Sequence, residues 1–346
     1  MCELSPLDLP QIHEQPSPSV LITTLQSLEL QPPVWNLRRH SDMLAEQESL
    51  ASARKADMTP YLVTIIQSPL SWIEDDDEKE RIWDLASKRI SERGGRSGMG
   101  EIIRKWPFEA EDGTPSYEPF ELVIREPALT GDSLGFKTWG SSYVLANHLP
   151  QLAATSLAEL FDRPEVPTVL ELGSGTGLLG LAAAALWKLH VVLSDLPSIV
   201  ENLESNAERN REAIEARGGG ASVGALTWGG SEDEVDQELF GRPSQFKIVL
   251  VADPMYDDDH PVLLASAISQ HLALCARSRA VVMVPRRDAT TVKLLHAFKQ
   301  AMLDLEEPLV CGEEDELAGQ DDWVDDDEGG RVQCWLGVFS RRAAST

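Results

Sequence analysis

Short runs of aliphatic and β-branched residues alternate with amphipathic stretches from about residue 131 onward. The five clearest runs are residues 168–172, 190–194, 222–226, 246–252 and 279–284. Their nearly continuous hydrophobicity is typical of strands that are covered on both faces. The stretches between them have the periodicity of helices, so the pattern predicts a parallel sheet with crossover helices. The predicted fold class is therefore α/β, with a doubly wound sheet.

The last hydrophobic run, residues 332–339, breaks this alternation. It follows an acidic stretch, residues 313–328, which contains ten Asp and Glu residues and leaves no room for a full helix. Because a parallel strand needs a crossover connection, we predict that 332–339 forms an antiparallel edge strand. A second acidic run, residues 74–80, contains six acidic residues. We interpret both runs as solvated segments, with guidance of a basic protein substrate as the alternative.

Residues 1–130 lack this alternation and predict an irregular, partly helical N-terminal extension, for which we expect a role in substrate recognition. Its segments are a Pro-rich start at 5–18, helices at about 42–56 and 74–93, a glycine-rich segment at 94–100 and a strand at 120–124. We expect the glycine-rich segment to be a mobile connection. The second domain would then comprise residues 131–346.

The composition excludes several classes of protein. The 346 residues carry 30 Lys and Arg against 57 Asp and Glu, which gives a net charge of −27 with His neutral. Binding to phosphate backbones needs clustered Lys and Arg, so we expect no nucleic-acid partner. There is no basic leader and no run of about 18 apolar residues, so we expect no membrane segment. The four cysteines lie far apart, which predicts neither a disulfide framework nor a zinc site and favours a cytoplasmic protein.

Residues 169–180 (VLELGSGTGLLG) form the most informative segment. It runs from a predicted strand through Gly173, Gly175 and Gly177 into a predicted helix. Glycines let the backbone turn sharply and approach a ligand, and the start of a helix offers unpaired N–H groups. We therefore expect a nucleotide-like cofactor here. The spacing Gly175-x-Gly177-x-x-Gly180 also fits a dinucleotide fingerprint, so the glycines alone leave both a nicotinamide cofactor and a methyl donor open.

Asp195 follows the second predicted strand, 18 residues after Gly177. An acidic side chain at this place accepts hydrogen bonds from ribose hydroxyls in both cofactor classes. Asp195 is thus a candidate cofactor-binding residue. The alternative is that Asp195 caps the helix that begins near Pro197, and the two roles are compatible.

Three further motifs stand around these elements. They are FKTWG at 136–140 before the glycine loop, LTW at 226–228 after the third strand and ADPMY at 252–256 after the fourth. Together with the glycine loop, this order resembles the seven-stranded S-adenosylmethionine-dependent protein-lysine methyltransferases of family 16. The resemblance covers about residues 131–342 and implies a seven-stranded mixed sheet and an S-adenosyl-L-methionine cofactor. Segments 252–261 and 284–288, with the N-terminal extension, are most similar to the fungal branch that methylates translation elongation factor 2.

The resemblance also implies the residues of the site. The cofactor-binding residues would be Trp139, Glu171, Gly173, Ser174, Gly175, Asp195, Trp228 and Ala252. Asp253 and Tyr256 would be the catalytic residues, at the entrance for the substrate lysine. Independent of the family, Trp228 offers a flat face for adenine, although an isolated Trp is more often a core residue. Ala252 falls at the carboxyl edge of the sheet, where doubly wound sheets bind ligands.

Methyl transfer to an amine is a direct displacement that needs alignment of nitrogen, methyl carbon and sulfur. The lysine must also be neutral, which at physiological pH costs roughly 4 kcal/mol. Burial beside an aromatic ring lowers the lysine pKa, and Tyr256 would supply that ring and a hydroxyl. Asp253 would orient the amine rather than act as a general base, because a carboxylate also stabilises the ammonium form. Pro254 stiffens this segment and removes one main-chain donor.

We therefore expect an S-adenosylmethionine-dependent protein-lysine N-methyltransferase that acts as a monomer on a partner protein such as elongation factor 2. The alternatives are an NAD(P)-dependent oxidoreductase, a small-molecule methyltransferase on the same fold and a non-catalytic binding protein. Trp139 and the 253–256 motif would have no role in an oxidoreductase. The sequence has no G-x-S-x-G motif and no histidine pair with metal-ligand spacing, so we expect no metal.

Overall fold

The computed structural model describes residues 6–29, 58–93, 100–110, 115–128, 134–320 and 331–341. The chain divides into two compact units. The smaller unit comprises residues 1–102 and 127–133, and the larger one comprises residues 103–126 and 134–346. The sequence pattern placed a single boundary at residue 130, whereas residues 103–126 pack within the larger unit.

The smaller unit is built from helices. These are α1 (Pro18–Ser27), α2 (Thr59–Gln67) and α3 (Asp76–Arg93). Leu21, Leu25, Leu62, Ile65 and Ile82 are fully buried and form the centre of its hydrophobic core. Helix α3 confirms the helix predicted at 74–93. The helix predicted at 42–56 and the glycine-rich segment at 94–99 lie outside the described residues.

The larger unit contains a seven-stranded mixed sheet, which confirms the predicted fold class. The strands are β3 (Val169–Leu172), β4 (His190–Asp195), β5 (Gly220–Ala225), β6 (Ile248–Ala252), β7 (Arg279–Pro285), β8 (Leu309–Gln320) and β9 (Arg331–Arg341), in the order β5-β4-β3-β6-β7-β9-β8. Strands β3 to β7 are parallel. The helices are α4 (Gly140–Ala154), α5 (Ala158–Phe161), α6 (Leu178–Trp187), α7 (Pro197–Glu215), α8 (Gln237–Phe240), α9 (His260–His271) and α10 (Ala289–Asp304).

The carboxyl-terminal strands correct one prediction. Strand β9 is antiparallel, as predicted, but it pairs with β7 on one side and β8 on the other, so it is not an edge strand. The edge is β8, whose residues 313–320 we interpreted as a solvated loop. An edge strand can keep polar residues on its solvated face. The acidic residues of β8 therefore led to the prediction of a loop where the structure has a strand.

A two-stranded sheet of β1 (Ile102–Phe108) and β2 (Phe120–Glu126) also belongs to the larger unit's fold. Helix α7 holds β2 with asparagines spaced four residues apart, which therefore share one helix face. Asn206 and Asn210 accept from the backbone N–H of Arg125 and Val123, each at 2.8 Å, and donate back to the same residues. Asn206 also donates to the carbonyl of Thr176 at 2.9 Å, which ties α7 to the glycine loop.

The sheet order places a ligand crevice at the carboxyl ends of β3 and β6. The chain passes from β3 outward to β4 and β5, and then returns to β6 on the other side of β3. Adjacent crossover helices therefore leave the sheet in opposite directions at this point, which opens a crevice between the two loops. Every site residue named from the sequence lies in a loop at this edge or directly beside one.

Candidate active site at the carboxyl edge of the sheet

The loop after β3 has a backbone that only glycine adopts readily. Gly173, Gly175 and Gly177 have φ angles of +67°, +56° and +89°. The neighbours leave little space for a side chain as well. A Cβ atom at Gly173 would lie 3.3 Å from the ring of Trp228, and one at Gly175 would lie 3.2 Å from the carbonyl oxygen of Gly135. The loop thus presents its backbone directly to the crevice.

Glu171 lies beneath this loop and fixes the start of α6. Its carboxyl Oε2 accepts from the backbone N–H of Gly180 at 3.0 Å, and the side chain is buried. Burial raises the pKa of Glu171 to about 8, so the carboxyl is largely protonated at neutral pH. The two hydroxyls of Ser174 and Ser194 connect the loop to β4, since Ser194 N–H donates to Ser174 Oγ and Ser194 Oγ donates to the carbonyl of Glu171.

Asp195 ends β4 with both carboxylate oxygens engaged by the backbone. Oδ2 accepts from Gly175 N–H and Oδ1 accepts from Leu196 N–H, each at 2.7 Å. Burial is the main cause of a raised pKa of this carboxyl, against the lowering effect of these two hydrogen bonds. Helix α7 begins at Pro197 with Leu196 as its N-cap and has no side-chain cap. Asp195 is therefore not the cap of this helix, and the alternative is wrong.

A line of aromatic rings joins the glycine loop to the loop after β6. Trp228, which faces Gly173, lies 6.4 Å from the ring of His260. His260 lies 6.1 Å from the ring of Tyr256, and Tyr256 lies 5.9 Å from the ring of Trp139. Tyr256 is 42% exposed. The backbone N–H of Tyr256 donates to His260 Nδ1 at 3.0 Å, so the first turn of α9 holds this loop in place.

Trp139 is anchored to the glycine loop from the other side. It is the N-cap of α4, and its indole N–H donates to the carbonyl of Leu134 at 3.1 Å. The preceding residue, Thr138, shares a hydrogen bond of 2.8 Å with the hydroxyl of Thr176 in the glycine loop. Buried Lys137 places its Nζ 4.6 Å from the centre of the Trp139 ring.

Asp253 follows β6 in a left-handed conformation, with φ +52°. Its N–H donates to the carbonyl of Met283 in β7 at 2.9 Å, and its side chain is buried. Arg287 binds both carboxylate oxygens: Nη1 donates to Oδ1 at 3.0 Å and Nη2 donates to Oδ2. Ala252, directly before Asp253, is half-buried at the end of β6.

The structure therefore brings the sequence-derived site residues to one edge in two connected groups. We call the first group, the loop 171–180 with Asp195 and Trp228, the cofactor half. We call the second group, Asp253, Tyr256 and Arg287 with Trp139, the acceptor half; Trp139 is predicted from the sequence to bind the cofactor, and in the structure its ring contacts Tyr256 and Arg287. Sequence reasoning missed three neighbours, Lys137, His260 and Arg287. All three lie in segments that the sequence singles out, but nothing in the sequence signals the contacts of Lys137 with Trp139, of His260 with Tyr256 and of Arg287 with Asp253.

Two further findings concern metal sites and membrane-spanning helices. Among the described residues, no group of three or more His, Cys, Asp or Glu side chains lies close enough together to hold a metal ion. None of the helices in the described segments is both long and apolar enough to cross a membrane.

The fold and the glycine loop are typical of an α/β enzyme that binds a nucleotide-like cofactor, and comparison with known proteins identifies the family. The family model described as "Lysine methyltransferase" matches residues 118–300, slightly more than half of the chain. The protein-lysine N-methyltransferase rrg1 of Schizosaccharomyces pombe is 30% identical over 274 residues, which cover 78% of this chain and 79% of rrg1. The protein-lysine N-methyltransferase EFM2 of Saccharomyces cerevisiae is 35% identical over 249 residues, which cover 68% of this chain and 55% of EFM2.

The chain belongs to the lysine methyltransferase family and is a protein-lysine N-methyltransferase that uses S-adenosylmethionine. A third relative, "EEF1A lysine methyltransferase 3" of Mus musculus, is 37% identical over 119 residues, which cover 33% of this chain and 46% of that protein. The family decides between the two cofactors that the glycine loop left open. It also confirms the resemblance inferred from the order of the four motifs.

Proposed function

We propose that this methyltransferase modifies a lysine of a translation elongation factor, with elongation factor 2 as the first candidate. Segments 252–261 and 284–288 support elongation factor 2 through their resemblance to the fungal branch. The name of the mouse relative makes elongation factor 1A the second candidate. The net charge of −27 favours a partner with a basic surface, which it would attract at long range.

The observation that carries the proposal is the continuous line of contacts from the cofactor half to the acceptor half. It runs from Gly173 through Trp228, His260 and Tyr256 to Trp139. Transfer between two bound molecules needs their binding sites to meet at one point. The rings along this line, which include the exposed ring of Tyr256, provide such a meeting point.

The cofactor half has the groups that S-adenosylmethionine needs. Asp195 would accept from the ribose hydroxyls, and Trp228 would form a wall for the adenine. The backbone of Gly173, Ser174 and Gly175, with positive φ at the two glycines, would line the cofactor, with Ala252 and Trp139 on the facing loops. Glu171 would act through the loop, since it is buried and its Oε2 accepts from the backbone N–H of Gly180 at the start of α6. When bound, S-adenosylmethionine supplies a methyl group activated by a sulfonium.

In the acceptor half, Tyr256 and Trp139 would enclose the aliphatic stem of the substrate lysine. Asp253 would help to align the amine. Excluding water from the amine lowers its pKa and reduces the roughly 4 kcal/mol cost of its neutral form. The lone pair of the neutral amine forms the new N–C bond while the C–S bond breaks, and the methylated nitrogen then loses its proton to solvent.

The direct test is incubation of the purified chain with isotopically labelled S-adenosylmethionine and either elongation factor 2 or elongation factor 1A. Mass spectrometry should locate label on a lysine of elongation factor 2, with no label when Asp195→Ala replaces the wild type. Label on elongation factor 1A alone would move the substrate to the second candidate. Label on neither factor would refute the proposed substrate class.

We further propose that the reaction takes place in the cytoplasm, that the chain acts as a monomer and that residues 1–130 help to recognise the partner protein. Size-exclusion chromatography with light scattering tests whether the chain is a monomer. Deletion of residues 1–130 removes β1 and β2 from the larger unit, so partner recognition is better tested by charge reversal in the exposed acidic start of α3, at Asp76 and Asp77. We expect this change to raise KM for the protein substrate and to leave cofactor binding unchanged.

A further inference from the structure

The buried carboxylate of Asp253 is already bound by a cation of the same chain. Its side chain is 3% exposed, and Arg287 donates to both of its oxygens. This is the bidentate geometry in which a guanidinium binds a carboxylate most strongly. A carboxylate in such a place without a partner would carry a large desolvation cost. Arg287 thus neutralises the acidic residue that faces the acceptor.

Arg287 also contacts the ring that faces the acceptor. Its Cζ lies 4.8 Å from the centre of the Trp139 ring, and Trp139 in turn contacts Tyr256. The guanidinium therefore connects Asp253 to the aromatic wall. Arg287 follows β7 and Asp253 follows β6, so the contact closes the acceptor half across two parallel strands.

This arrangement resolves a conflict in the chemistry of the acceptor half. A lone carboxylate within about 4 to 6 Å of an amine raises the pKa of that amine by one unit or more, which favours the unreactive ammonium form. A carboxylate paired with a guanidinium has little net field at the amine. Each carboxylate oxygen has about two acceptor positions, so one hydrogen bond from Arg287 to each oxygen does not use the full acceptor capacity of the carboxylate.

We propose that Arg287 is a positioning residue that cancels the charge of Asp253, so that the substrate lysine is held and aligned as a neutral amine. The inference rests on the proposed function and deepens it. It assigns control of the protonation state of the substrate lysine to Arg287, a residue outside the D-x-x-Y motif. Asp253 then orients the acceptor without stabilising its charged form.

Within the described part of the chain, charged and titratable groups reach this position from four elements. They are Asp253 at the end of β6, Arg287 after β7, Lys137 before α4 and His260 at the start of α9. Lys137 lies against Trp139, and the His260 ring lies against Tyr256. Both stay in place in the variants below, so only the two charges of the Asp253–Arg287 pair change.

The test is the pH profile of single-turnover methyl transfer to purified elongation factor 2, with the enzyme in excess. The rate should rise with pH as the bound lysine loses its proton, and the midpoint of the rise reports the pKa of that lysine in the complex. Arg287→Gln should move the midpoint up by about one pH unit or more, because Asp253 is left uncompensated. Asp253→Asn should move it down, because Arg287 is left uncompensated. The double variant should return it close to the wild-type value.

The matched control is Arg286→Gln. Arg286 is the neighbouring residue, and its side chain pairs with exposed Glu316 away from the site. Its midpoint should equal that of the wild type. Circular dichroism and S-adenosylhomocysteine affinity show whether each variant is folded, and Asp253→Asn tests the inference even where Arg287→Gln does not fold.

The possible outcomes are distinct. Midpoints that move in opposite directions for the two single variants support the inference. Unmoved midpoints, or midpoints that move in the same direction, overturn it while leaving the proposed function intact. A wild-type chain that transfers no methyl group to elongation factor 2 refutes the proposed substrate, and this inference with it.

Discussion

The two halves of the site are built by different means, although they share one edge of the sheet. The cofactor half is held by backbone: three glycines with positive φ, an aspartate that accepts from two N–H groups and a buried glutamic acid that accepts from a third. The acceptor half is held by side chains: a bidentate ion pair, an indole and a phenol from separate loops. Under the proposed function, a cofactor held by backbone groups would face an acceptor wall whose charge and shape depend on a few side chains.

Because of this difference, we expect substitutions in the two halves to impair different steps. Substitutions in the cofactor half should change cofactor affinity or the stability of the fold. Substitutions in the acceptor half should change transfer and leave the cofactor bound. The predictions below test that separation.

The largest effect is expected from Glu171→Gln. The pKa of Glu171 is about 8 in the folded chain, against an ordinary value of 4.5 in the unfolded chain. Between these values the folded chain keeps a proton that the unfolded chain releases, so wild-type stability falls as pH rises. A glutamine there still accepts from Gly180 and has no proton to lose. At pH 8 the variant should be more stable than the wild type by roughly 3 to 5 kcal/mol, and equally stable near pH 4.5.

Urea unfolding followed by circular dichroism at pH 4.5, 6 and 8 measures this difference. The control is Glu159→Gln, whose side chain is exposed in α5 and should show no such divergence. Affinity for S-adenosylhomocysteine should be unchanged in Glu171→Gln. A constant stability difference across pH would show that the pKa of Glu171 is not raised in the folded chain. Lost affinity would show that Glu171 acts on the ligand.

The next largest effect is expected from Tyr256→Ala. Loss of the exposed ring removes the wall for the lysine stem, so transfer to the protein substrate should fall roughly a hundredfold, or about 2.7 kcal/mol in activation free energy. S-adenosylhomocysteine affinity should stay within about threefold, since the Tyr256 ring contacts Trp139 and His260, two residues outside the glycine loop. Val262→Ala, 65% exposed in the first turn of α9, is the control and should keep wild-type transfer. Full transfer by Tyr256→Ala would remove the residue from the acceptor half.

Gly180→Ala should have a smaller effect, on the fold of the cofactor half. A Cβ atom there would lie 2.5 Å from Glu171 Oε2 and 2.6 Å from Leu193 Cδ2, so neighbours must shift. Overpacking of this kind lowers the free energy of unfolding by about 1 to 3 kcal/mol. Gly312→Ala in β8, where a Cβ would meet nothing within 4 Å, is the matched control. Equal stability of both variants would show that the start of α6 tolerates rearrangement.

The same division explains how far the sequence predicted the structure. The glycine loop, the five parallel strands and Asp195 could be predicted because each belongs to a local pattern. A strand, the turn after it and the next helix are formed by consecutive residues. The contact of Arg287 with Asp253 joins residues 34 positions apart and has no local pattern. Strand β8 was missed for another reason: Glu313 to Glu316 are exposed at the sheet edge, where acidic residues in a strand look like a loop.

The most direct test of the separation between the two halves is isothermal titration of S-adenosylhomocysteine into the wild type, Asp195→Ala and Tyr256→Ala. Asp162→Ala, an exposed aspartate after α5, is the control for Asp195. We predict that Asp195→Ala weakens binding at least tenfold, about 1.4 kcal/mol, while Tyr256→Ala and the control bind as the wild type does. Wild-type affinity in Asp195→Ala would contradict the account.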